Sequence, residues 1–165
     1  MTDIYPYDKM LESIEERIAN SDKISDVNKE IIRNFRDDCF SNGIGIARVI
    51  RYNYCLRDMA VWLDKSFSSC KKEDIKRLVA QLELMKKYSP RTKIEYKSTL
   101  RKLYKFLRNN DNPEEVDWMK LNLKKHQRKL PKELLNEDDI REMVNKTFSD
   151  RDRAIIMVLF ESGCR

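Results

Sequence analysis

Residues 89–108 read SPRTKIEYKSTLRKLYKFLR, and this stretch decides the fold. Ser89 is a natural N-cap, and Pro90 suits the first helical position, where a missing N–H costs nothing. Ile94, Leu100, Leu103, Tyr104 and Leu107 recur at helical spacing and are expected to point inward. Lys93, Lys97, Arg101, Lys105 and Arg108 follow one another at steps of four and three, which makes a basic ridge. Asn109-Asn110 ends the helix. A helix with one apolar stripe needs other helices to bury it.

The preceding segments supply them. Met10, Leu11, Ile14 and Ile18 lie at helical spacing between about Asp8 and Asn20. Ser25 or Asp26 caps a second helix expected from Val27 to about Ser41, closed by Asn42-Gly43. A third is expected from about Ile46 to Asp64, with Val49, Leu56, Met59, Ala60 and Leu63 as its stripe and Arg48 and Arg51 on one flank near its start. Residues 66–69 read as a loop. A fourth helix follows over about 72–85, burying Ile75, Leu78, Val79 and Leu82. No apolar run of period two interrupts this series, so the region reads as an all-α bundle.

Beyond it, residues 111–132 read as a linker with an amphipathic patch at Val116, Trp118, Met119 and Leu121 and a basic run at Lys124, Lys125, Arg128 and Lys129. Asn136 then caps a helix to about Asn145, with acidic residues in its first turn as the helix dipole prefers. Ser149 or Asp150 opens a last helix that Gly163 ends. Ile155 to Phe160 is apolar nearly all round and calls for burial on more than one side. Residues 133–165 are therefore expected to be poorly packed by themselves.

Composition narrows the function. The chain has 165 residues, 41% hydrophobic and 38% charged, with only 3 Gly and 4 Pro, a balance that favours helices over disorder. No run of apolar residues is long enough to span a membrane, and residues 1–10 carry no apolar signal core, so a cytoplasmic protein is expected. Cys39, Cys55, Cys70 and Cys164 form no close pair, and the single histidine, His126, has no second ligand nearby. No metal or cofactor site is expected, and the cysteines read as small hydrophobes. Net charge is +6 and unevenly spread: residues 1–42 carry −4, residues 86–109 carry +8 and residues 120–132 carry +6. Two basic blocks in a mildly charged chain are the footprint expected for a polyanion.

Four short motifs then stand in order: Leu130-Pro131, Leu135-Asn136-Glu137-Asp138-Asp139-Ile140, Arg151-Asp152-Arg153-Ala154 and Glu161-Ser162-Gly163-Cys164-Arg165. Their order resembles the opening of the catalytic domain in the tyrosine recombinase (phage integrase) family, and the E-S-G variant looks most like its archaeal members. Asn136 stands where the family usually has Thr; both cap helices. Upstream, Trp62-Leu63, Lys72 to Ile75 and Ser89 to Leu107 are similar to features of the family's core-binding domain, a SAM-like helical module. The resemblance runs from about Val27 to Arg165.

What it implies is a division into an acidic N-terminal helix (1–24), a core-binding domain (25–110), a basic linker (111–132) and the start of a catalytic domain (133–165). The family cuts DNA by attack of a tyrosine on a phosphodiester, with two arginines stabilising the phosphate. Arg165 matches the first of those arginines. The other catalytic groups have no counterpart here, and Tyr96 and Tyr104 lie at apolar spacing, so this chain is expected to bind DNA without cleaving it. The implied partner is double-stranded DNA, with a homo-oligomer assembled on it and no small-molecule substrate. By position, the third and fifth helices would face the major groove. The DNA-binding candidates are Arg48 and Arg51 on one, Arg91, Thr92, Lys93, Lys97 and Arg101 on the other, and Lys124, Lys125, Arg128 and Lys129 in the linker. Lysines and arginines would mostly hold phosphates, while Thr92 and an arginine near a helix start would reach base edges. Two other readings fit the residues: a non-catalytic regulatory protein at recombination sites, whose fold would end near Asn110, and a helical module whose basic face binds an acidic protein.

Overall fold

Ser25, Ser89 and Asn136 each accept the backbone N–H three residues on, at 3.3, 3.1 and 2.9 Å, and these caps open three helices. The computed structural model describes residues 6–122 and 135–163. Among them the elements are α1 (Tyr7–Ala19), α2 (Asp26–Ser41), α3 (Ile46–Trp62), α4 (Lys72–Leu84), α5 (Pro90–Arg108), α6 (Glu137–Lys146) and α7 (Asp150–Ser162). A single 3-10 turn sits at Phe67–Ser69, and the described residues hold no strand. The protein is all-α over this range. No described helix is long and apolar enough to cross a membrane.

Ser25, not Asp26, is the cap of α2. α3 stops at Trp62, two residues before its expected end, because Leu63 turns to extended backbone. The chain divides into two compact units, Met1–Leu123 and Lys124–Arg165.

In the first unit α3 is the hub: α1, α2 and α5 all pack against it, and α4 packs on α5. The core joins Ile14 and Ile18 of α1, Ile32 and Phe35 of α2, Val49, Leu56 and Met59 of α3, Ile75 and Leu82 of α4, and Leu100 and Leu103 of α5. On α5 the burial is shifted slightly from expectation. Tyr96 and Thr99 are buried, while Ile94 and Leu107 are only partly covered. Both tyrosines of α5 have internal partners: Tyr96 donates to Asp58 Oδ2 at 2.6 Å and Tyr104 to the Phe67 carbonyl at 2.8 Å. The Phe67 N–H in turn donates to the buried Asn28 Oδ1 at 2.9 Å, so the turn between α3 and α4 is clamped from two helices.

The linker expectation fails over its first half. Pro113, Val116 and Met119 are buried, and the last two belong to the core of the first unit. The apolar patch that reads as part of a linker is in fact a lid on the bundle, and the compact unit runs on past Asn110 to Leu123.

In the second unit Asn136 and Asp139 satisfy each other's backbone N–H at 2.9 Å in a reciprocal cap, and α6 packs on α7. Neither helix has a buried residue. Ile155, Met157, Val158, Leu159 and Phe160 are all exposed, as is Phe148 before them.

Candidate nucleic-acid interface

Arg48 and Arg51 lie in the first two turns of α3, and Arg91 and Glu95 in the first two turns of α5. Spacings of three and four place each pair on one face of its helix. α3 and α5 pack together, and Arg51 Nη2 donates to Glu95 Oε2 at 2.6 Å across the seam. The result is one patch built from residues some 40 apart in sequence: three guanidinium groups whose charges all act on one carboxylate.

The electrostatics agree. The hydrogen bond from Arg51 is the main cause holding the Glu95 carboxyl below its ordinary range; partial burial opposes it, and the charges of Arg51, Arg48 and Arg91 reinforce it. The same hydrogen bond raises the Arg51 guanidinium. Arg48 and Arg91 are exposed. Thr92 is committed locally: its hydroxyl lies 2.9 Å from Ser89 Oγ within the cap of α5.

The ridge of Lys93, Lys97 and Arg101 is not the open face its spacing implies. Lys93 Nζ donates to the Glu83 carbonyl at 2.5 Å, and Lys97 Nζ pairs with Glu83 Oε1 at 2.8 Å. Both side chains are only 14% exposed. Arg101 donates to the Met119 carbonyl. Further along, Lys105 pairs with Asp111 at 3.2 Å and Arg108 with Glu115 at 2.7 Å. The ridge therefore ties α5 to α4 and to the 111–119 segment. The reason is angular. These residues flank the buried stripe of α5, and the neighbours that cover the stripe also cover its flank.

Two residues of the open face escape a search for basic periodicity. Glu95 is the one acidic residue in 86–109, and it follows Arg91 by four. Lys102 lies on the same stripe, seven residues after Glu95, and is partly exposed. Lys124, Lys125, Arg128, Lys129 and Arg165 lie outside the described residues. No protein-family model, no curated protein and no solved structure matches this chain.

Proposed function

We propose that this chain is the DNA-binding front part of a site-specific tyrosine recombinase, taking part in DNA integration and recombination. In this reading Met1–Leu123 serves as the SAM-like core-binding module, and the patch of Arg48, Arg51 and Arg91 is laid against duplex DNA. The observation that carries the reading is the convergence of those three arginines from two helices onto one exposed face. Guanidinium groups match phosphate oxygens in geometry and charge. The ordered motifs from Leu130 to Arg165 supply the link to recombinases.

The geometry also ranks the variants. Arg48→Ala, Arg51→Ala and Arg91→Ala together should remove most of the DNA affinity. Lys93→Ala, Lys97→Ala and Arg101→Ala together should lower the stability of the bundle more than they lower affinity, because these cations already have internal partners. The test is fluorescence anisotropy of a labelled duplex of about 30 base pairs, titrated at several salt concentrations, since each phosphate contact adds roughly 0.9 to the log–log salt slope. Wild-type binding that weakens with salt, with a slope reduced by about 2 to 3 in the first variant, supports the reading. No binding at low salt by a chain with an intact helical circular dichroism spectrum overturns it.

A further inference from the structure

Within the arginine patch, Glu95 is out of place for a surface that only holds phosphates. It stands among the cations, and a carboxylate there repels a polyanion. An exposed ion pair such as Arg51–Glu95, with its side chains 50% and 37% exposed, adds little to the stability of the fold. What it does do is fix a long side chain. Glu95 Oε2 takes one donor of the Arg51 guanidinium through Nη2, and the Arg51 side chain, half exposed, keeps further donors within reach of a ligand.

A fixed fork beside a carboxylate suits a neutral pair of acceptors better than a charged phosphate, which the carboxylate would oppose. In the major groove, guanine alone presents two adjacent acceptors, O6 and N7, on one base edge. A guanidinium has only donors and matches that pair in bidentate fashion. Arg48 and Arg91 are exposed, and among the described residues neither pairs with a carboxylate, so they suit neighbouring phosphates.

We infer that Arg51, oriented by Glu95, reads a guanine in the bound duplex, with Arg48 and Arg91 holding the phosphates beside it. Arg51 is the specificity-determining residue and Glu95 is a positioning residue that acts through it. The inference rests on the DNA-binding reading above and adds a base to it.

The experiment uses the full chain and a pool of random duplexes of about 30 base pairs, from which the bound fraction is sequenced; a correct bidentate contact discriminates on the order of tenfold. Wild type should enrich a fixed guanine. Replacing that guanine by 7-deazaguanine, which lacks N7, should weaken binding about tenfold, whereas inosine, which keeps O6 and N7, should be tolerated. Glu95→Gln should lose most of the discrimination against 7-deazaguanine while binding unrelated duplexes as tightly as wild type or tighter. Arg51→Lys should lose the discrimination too. Arg48→Ala with Arg91→Ala should weaken all duplexes alike and lower the salt slope by about 2. Salt-dependent binding with no guanine enriched, or discrimination unchanged in Glu95→Gln, overturns the inference and leaves Arg51 as one more phosphate contact. A wild-type chain that binds no duplex removes the DNA-binding reading itself, and this inference with it.

Discussion

Asn53 shows what a single side chain contributes in this fold. It is buried in α3, and its Oδ1 has no hydrogen-bond partner among the described residues. It lines a small cleft of about 120 Å³ between α1, α2 and α3, beside Ile18 and Ile32 and beneath Arg36, which reaches Glu15 at 2.7 Å. Asn53→Leu replaces the amide oxygen and nitrogen by two methyl groups where space is at hand. It should raise stability by about 1 kcal/mol, read as a higher urea midpoint at unchanged m-value. A lower midpoint would mean that the amide contributes more than its oxygen suggests. The buried thiols make a second case. Burial is the main cause that lifts Cys39 from an ordinary 9.0 to about 11 and Cys55 to about 12. A folded pKa raised this way means that the fold favours the neutral thiol. The resulting stability is complete below pH 9, declines as pH rises, and is lost as it passes through the folded values. In a Cys164→Ser background, alkylation of the native protein at pH 8 should therefore be slow and should speed up sharply in denaturant; rapid alkylation in the native state would contradict the burial of these thiols.

At the scale of elements, α5 carries two jobs on neighbouring faces. One flank of its buried stripe is basic and internal, bound to Glu83, Met119 and Glu115. Its open face carries Arg91, Glu95 and Lys102. The segment after α5 is the element whose role is most easily misjudged. Val116 is fully buried, so Val116→Ala should cost about 2 kcal/mol in transfer and cavity terms. Glu114→Ala, on the exposed side of the same turn, should stay within about 0.5 kcal/mol. Equal effects from the two substitutions, measured by urea denaturation, would show that this segment is not part of the core. The same burial bears on the reading of a stand-alone fold ending near Asn110, because a chain cut there would expose the core surface that Val116 and Met119 cover.

At the scale of the molecule, the two units differ in kind. The first has a continuous core; the described part of the second is two helices without a buried residue, and Ile155, Met157, Val158, Leu159 and Phe160 are exposed. Exposed apolar surface of this extent marks a region that gains little from burial. Amides from Ile155 to Phe160 should exchange at least about 100-fold faster than those from Leu100 to Tyr104, measured by hydrogen exchange with mass spectrometry. Strong protection in α7 would contradict the exposed state seen for its apolar side chains.

The sequence alone determined the helical elements, because periodicity, caps and stop signals are local. Ser89-Pro90 before a 3.6-residue stripe, Asn42-Gly43 after another, and Asn136 with Asp139 all work within a few residues of one another. It likewise marked the apolar excess of α7, whose Ile155, Met157, Val158, Leu159 and Phe160 stay exposed although α6 packs on it. Only the tertiary structure decided which cations are open. The angle at which α4 and the 111–119 segment cover α5 puts Lys93, Lys97 and Arg101 on internal partners, and the packing of α3 on α5 gathers Arg48, Arg51, Arg91 and Glu95. Basic spacing along one helix looks the same in both cases, since it specifies a face but not what lies over that face. The distinction is made by contacts between residues far apart in the chain, and local patterning holds no record of them.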